Sequence, residues 1–352
     1  TEPKDNSAAT MDDGQDSKSP DLPTSKSMTK GIKRFLNPLL RILIASLVII
    51  FLAWTIRKTL IDLEQHQSAS STIRVRWHYL LLSIAVYMVG LLPAGIAWLQ
   101  ALKAFGQNLP LWPALEAYFL GHLGKYVPGK AMVFVIRVGK LQPLGLAIRP
   151  GIVSVFVETL TSLCTGAVLG AALLYALDVP PWIRWSGFAC IPFACLALAP
   201  HFFRLGLLVA AKSKIGRLPP AMRNAFTWRF MLRTCGWMVL GWLLNGTAAW
   251  FVLQSLSDST NLVSLSGWMT CIAAYCLAAV AGFLSMLPGG AVVRELVITW
   301  LLAPLVTHPI ALLAAVFLRI TNICGECLMA GAISLIRWRN DRLQKSSRTS
   351  DP

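Results

Sequence analysis

Charge is what this sequence has little of. Only 14% of its 352 residues are Asp, Glu, Lys or Arg, against about 25% in soluble domains. Acids are the scarcer sign, 16 against 32 basic residues. With 55% apolar residues and a mean hydropathy of +0.60, the soluble globular class is excluded and the chain reads as an all-α polytopic membrane protein. Catalytic signatures are missing too. There is no G-x-S-x-G, H-E-x-x-H or phosphate-binding loop, and the five His are dispersed without ligand spacing. No metal, no cofactor and no enzymatic step are therefore expected. All eight Cys fall inside apolar segments, where a buried free thiol behaves as a small apolar side chain. Cys324 and Cys327 form a C-x-x-C, but within a helical span that is two small residues one turn apart.

Residues 1–30 carry six acids and four Lys among Ser, Pro and Thr. They bury too little apolar surface to offset chain entropy and read as a disordered tail. A membrane domain is expected over 31–338 and a basic tail over 339–352. From residue 31 onward there are 28 Lys and Arg against 10 Asp and Glu. These bases sit in short stretches beside apolar spans, the placement that topology and anionic lipid headgroups dictate rather than nucleic acid. Trp residues near span ends, such as Trp77, Trp182, Trp228 and Trp338, read as interfacial anchors.

About 20 apolar residues cross the hydrocarbon core, which predicts spans at 35–56, 79–102, 151–177, 182–200, 231–254, 263–287 and 310–336. Two shorter stretches, 111–138 and 291–306, remain. The 201–233 connection holds seven basic residues and no acid, and five more follow residue 336. Both segments are placed in the cytoplasm by this bias. With 291–306 taken as a span, the reading is seven to eight transmembrane helices in an inner cell membrane with both termini cytoplasmic. The loop 57–78 objects, because it carries Arg57, Lys58, Arg74 and Arg76 on the outward side. Either the first span is weakly oriented, or 111–138 crosses the membrane and shifts the parity rather than re-entering.

Two Pro-Gly pairs interrupt apolar sequence, Pro128-Gly129 in "YVPGK" and Pro288-Gly289-Gly290 in "MLPGG". Pro removes a helix hydrogen bond, and Gly permits backbone conformations closed to other residues. At membrane depth such a break is tolerable only when packed in protein or lining a wet cavity. Transporters aim the N-termini of half-helices at anionic substrate groups from such breaks. Lys125, Lys130 and Arg137 flank the first pair, and Arg294 and Glu295 follow the second. These ten residues form a candidate headgroup site. Alternatively, both breaks are interfacial turns whose bases snorkel to headgroups. Ionisable residues within spans are functional candidates by default: Glu158, and Arg319, Asn322 and Glu326 on one face of the 310–336 helix. The other reading of these is an ion-pair network that fixes packing, such as Arg319 with Glu158.

The ordered series "HLGKYVPGKAMVFVIRVGKLQPLG" (122–145), "VFVETL" (155–160), "GFLSMLPGGAVVREL" (282–296) and "AAVFLRITN" (314–322) resembles the lysylphosphatidylglycerol synthase transmembrane-region family. The likeness runs over roughly 35–336. Where members often have Glu-Arg, this chain has Glu158-Thr159, so a paired Arg is lacking there. The resemblance implies a flippase-like membrane domain. In the best-understood relatives it is followed by a soluble aminoacyl transferase, for which these 352 residues leave no room. The function expected is movement of a phospholipid or lipid-linked precursor with an anionic headgroup between leaflets. The alternative is a non-transporting scaffold that presents lipid to a separately encoded glycosyl- or aminoacyltransferase. Membrane lipids are the expected partners, with such a transferase and a second copy of the chain left open.

Overall fold

The computed structural model describes Arg57 and residues 75–126, 131–175, 180–212, 220–287, 290 and 292–349. All lie in one compact unit, Val48–Pro352. The predicted span at 35–56 and the tail 1–30 fall outside the described residues. Among the described residues there is no strand, as expected where lipid cannot satisfy backbone groups and helices satisfy their own.

Among the described residues eleven α-helices follow one another: α1 (Trp77–Ala104), α2 (Leu111–Leu123), α3 (Ala131–Leu141), α4 (Ile148–Tyr175), α5 (Pro181–Leu198), α6 (Pro200–Lys212), α7 (Pro220–Ala225), α8 (Trp228–Leu256), α9 (Leu265–Leu284), α10 (Val293–Leu302) and α11 (His308–Thr349). Local sequence accounts for several ends. Thr227 accepts from Phe230 N–H at 3.2 Å to cap α8, and Ser264 accepts from Gly267 N–H at 3.1 Å to cap α9, each satisfying an orphan donor. Pro200 ends α5, because the residue before a proline is pushed to extended backbone; Ala199 has φ −64° and ψ 135°. The chain bends there by 63° into α6. The basic stretch expected as a tail after residue 338 continues α11 as helix to Thr349.

Among the described residues five helices are long and apolar enough to cross a membrane, α1, α4, α8, α9 and the His308–Asn340 part of α11, or six if the bent α5–α6 pair is one span. The helices of the two shorter stretches, α2, α3 and α10, are not among them. At 1.5 Å per residue, α2 and α3 are about 20 and 17 Å long and α10 about 15 Å, against a core of about 30 Å. The span expected at 291–306 is not among the five or six candidates found in the described residues.

The 111–138 stretch folds back on itself instead. A side-chain carbon placed on Gly121 would lie 2.4 Å from Arg137 Cγ, and one on Gly124 would lie 2.9 Å from the Val133 nitrogen. Residues 121 and 137, then 124 and 133, face each other, so α2 and α3 run antiparallel as a helical hairpin. The chain joins them through 127–130, outside the described residues. The pair α9 and α10 makes a second hairpin, closed where Gly290, at φ +66°, brings its backbone against Gly282.

α1 forms the spine of the bundle, packing on α4, α8 and α11. Ser83 donates to the Ala248 carbonyl at 2.9 Å, and Arg76 at the start of α1 pairs with Asp258 just past the end of α8. The two helices are therefore antiparallel. Trp98, fully buried, donates from Nε1 to Ser154 on α4 at 3.0 Å.

Candidate functional site

α11 decides where the polar groups meet. Its apolar stretch carries Arg319, Asn322 and Glu326 on one face, eleven residues after His308 and eleven before Arg337. That is about 17 Å from either end. Hairpin α2–α3 lies along the C-terminal half of α11. Glu116 near the start of α2 pairs with Arg337 and, at 2.8 Å, with Lys140 of α3. Hairpin α9–α10 lies along the N-terminal half, with α10 packed on α11 and leading into it through a short turn. The two hairpins therefore approach the middle of α11 from opposite ends.

At the end of the first hairpin, Lys125 Nζ lies 2.5 Å from Oε1 of Glu326, and the Tyr87 hydroxyl of α1 donates to the same oxygen at 2.5 Å. Lys125 Nζ is also 3.1 Å from Nε2 of His122. Because the ammonium only donates, this ring nitrogen accepts. At the end of the second hairpin, Glu295 pairs with Arg319. These two carboxylates are only 4% and 2% exposed. Ion pairs so enclosed hold together because removing either partner strands the other charge.

Arg294 is different. Its guanidinium lies 4.8 Å from the centre of the Tyr275 ring. With the Asn322 amide turned so that both its ends are satisfied, Asn322 accepts from Nη2 of Arg294 at 3.0 Å and donates to the Leu318 carbonyl at 3.3 Å. No carboxylate pairs with Arg294 among the described residues. It leaves one positive charge uncompensated at the place where the hairpins meet. Lys125 feels the positive charges of both Arg294 and Arg319. Other polar atoms there lack a hydrogen-bond partner among the described residues: Arg319 Nε and Nη2, Glu295 Oε2 and Glu326 Oε2.

Arg137 and Glu158 stand apart from this group. They pair at 2.9 Å, and the Arg137 guanidinium is stacked 4.1 Å from the Tyr118 ring centre and 5.2 Å from that of Trp98. At 1% exposure, Arg137 fastens the first hairpin to α1 and α4. Arg319 does not reach Glu158, as one reading of the sequence had it; its partner is Glu295. Of the residues singled out from sequence, the structure thus gathers Lys125, Arg294, Glu295, Arg319, Asn322 and Glu326, with Gly290 at the turn beside them. Pro128, Gly129, Lys130, Pro288 and Gly289 lie outside the described residues.

Tyr87, His122 and Tyr275 were not anticipated. Each is an amphipathic ring in an otherwise apolar or interfacial stretch, and only tertiary contact separates it from any other aromatic residue. Val292, just before α10, holds φ +70°. For a β-branched residue this is strained backbone, costing about 1–3 kcal/mol, at the very turn that presents Arg294. Each hairpin also brings a helix N-terminus, that of α3 or α10, to the centre, adding partial positive charge.

A family model described as the lysylphosphatidylglycerol synthase TM region matches residues 39–325. The chain belongs to that family, and it is a multi-pass membrane protein. A comparison with curated proteins finds no match.

Proposed function

From that membership as premise, we propose that this protein moves a phospholipid or lipid-linked precursor with an anionic headgroup between leaflets. The observation that carries the reading is Arg294. A guanidinium with no carboxylate partner among the described residues, midway along a membrane helix bundle, is costly unless an anion visits it. The headgroup phosphate binds Arg294 and the open N–H groups of Arg319, and it competes with Glu326 for Lys125. The free oxygens of Glu295 and Glu326 accept from headgroup hydroxyl or amine groups. Oppositely directed hairpins give a central site two approaches, one from each side, which is the requirement for alternating access. Both hairpin ends donate half-helix N-termini to the same anion. By the Lys/Arg bias, the Arg337 end of the bundle is cytoplasmic, so α2–α3 enters from the cytoplasm and α9–α10 from the far side. The reaction makes and breaks no covalent bond.

The test is leaflet exchange of fluorescent phospholipids in liposomes holding the purified protein. Exchange above empty liposomes, reduced about ten-fold or more in folded Arg294→Gln, is the expected result, since a charged hydrogen bond contributes about 1.5–3 kcal/mol. Absence of exchange for every anionic, neutral and isoprenoid lipid tried overturns the reading in favour of a scaffold that holds lipid for a separate transferase.

A further inference from the structure

The charges of the central site do not balance. Among the described residues Lys125, Arg294 and Arg319 bring three positive charges to it, and Glu295 and Glu326 bring two negative ones. Arg137 and Glu158 cancel each other apart from this group. His122, accepting from Lys125, adds none. A bound phosphate diester, with its single negative charge, brings the sum to zero. The empty site keeps one positive charge midway along the bundle, and closing protein over an unbalanced charge at that depth is costly. Alternating access needs the site to change sides empty as well as loaded. An empty site that changes sides without that cost has shed a proton.

One of the three cations can shed it. A guanidinium keeps its proton in proteins, whereas an ammonium gives it up when water is withdrawn. Lys125 is also the best placed. Its side chain is 28% exposed and that of His122 24%, against 7% for Arg319 and 1% for Glu326. His122 Nε2 lies 3.1 Å from Lys125 Nζ, close enough to take its proton and pass it to water. Tyr126, with its ring centre 5.2 Å from Nζ, Tyr87 of α1 and Tyr275 of α9 complete the titratable groups around the pair. α8 carries its only charges, Arg229 and Arg233, in its first two turns, well short of the contact between its Asn245 and Gly90 of α1.

We propose that Lys125 carries a coupling proton. The site changes sides loaded with lipid and a protonated Lys125, and returns empty with Lys125 neutral, so that each monoanionic lipid moves with one proton. This rests on the reading of the central site as a headgroup site. For the return, an Nζ–H bond breaks, the electron pair stays on Nζ, and Nε2 of His122 takes the proton and hands it to water. On the other side water supplies it again by the same route. Both states that change sides are neutral, so transport follows a pH gradient and ignores the membrane potential.

The experiment uses the full chain in phosphatidylcholine liposomes that hold fluorescent phosphatidylglycerol in both leaflets, under a pH gradient of one unit. The leaflet ratio is expected to approach about ten-fold in favour of the alkaline side, the value for one proton per lipid. It exceeds the drift of empty liposomes and stays where it is when a potassium diffusion potential is imposed. Folded Lys125→Arg keeps the charge but cannot lose the proton. In it, net accumulation falls by about ten-fold or more relative to one-for-one exchange of labelled for unlabelled phosphatidylglycerol. Equal loss of accumulation and exchange in this variant overturns the proposal and makes Lys125 a binding residue only. A wild-type ratio that stays near one under the pH gradient, or that follows the potential, overturns the proposal while leaving translocation standing. Wild-type protein that shows neither accumulation nor exchange overturns translocation and the coupling with it.

Discussion

Lys125 and Glu326 are 201 residues apart in sequence, and their charged atoms lie 2.5 Å apart in the folded chain. This contact ties the end of one half-membrane hairpin to the middle of the longest helix, and Glu326 is 2% exposed. Holding such a pair has a cost, because each charge is stable there only while the other is present.

Lys125→Met is expected to lower stability by about 3–5 kcal/mol, the cost of stranding the buried Glu326 carboxylate, Glu326→Gln by less because the Lys125 side chain is 28% exposed, and the double variant by less than the sum. Thermal unfolding of the four proteins in one detergent checks this. Additive losses would mean that the pair is not formed.

Arg137→Lys keeps the charge beside Glu158 but loses the planar group stacked on Tyr118 and Trp98. A loss of about 1–2 kcal/mol is expected, since Lys neither stacks nor forks. Arg137→Met costs more, about 3–5 kcal/mol, by leaving Glu158 unpaired. If the Lys variant melts with the wild type, the stacking contributes nothing.

Gly290→Ala places a side chain at φ +66°, and its added carbon would lie 2.8 Å from Gly282 Cα. The conformation alone costs about 1–2 kcal/mol, and the contact with backbone adds to it. We expect lower thermal stability together with faster protease cleavage near 285–292. Unchanged cleavage would show that the second hairpin does not close there.

Arg337→Gln breaks the pair with Glu116 at the outer end of the first hairpin, where Lys140 still holds the carboxylate at 2.8 Å. Because the Arg337 side chain is 29% exposed, the expected loss is only about 0.5–1 kcal/mol. Hydrogen exchange of α2 and α3 amides should nevertheless quicken while that of α8 stays as it is. Uniform quickening would point to a global rather than a hairpin effect.

Much of this was readable from sequence. The apolar runs at 79–102, 151–177, 231–254 and 263–287 became helices within a few residues of their expected ends, and the run at 310–336 became a helix that overran its expected end to Thr349, because lipid leaves a spanning chain one way to satisfy its backbone. The polar face of α11 was readable as well, since Arg319, Asn322 and Glu326 have helical spacing. The status of 111–138 and 291–306 was not. Their length allowed either a short crossing or a return, and the return depends on Gly121 and Gly124 admitting the opposing helix, a contact that periodicity does not encode. Pairing was equally closed to sequence. Arg319 had Glu158, Glu295 and Glu326 as possible partners, and the choice of Glu295 follows from which helix lies along which half of α11.

The sequence by itself determined that the chain is a helical membrane protein, which segments are helical, and that scarce charges stand beside two Pro-Gly pairs. Those properties follow from local rules: hydropathy, helical period and backbone freedom. The tertiary structure alone decided that the two hairpins meet from opposite ends, that Arg137 belongs to packing with Glu158, and that Arg294 is left without a carboxylate among the described residues. The physical reason is that a buried charge is governed by whatever lies within a few ångströms of it, and those neighbours come from remote parts of the chain.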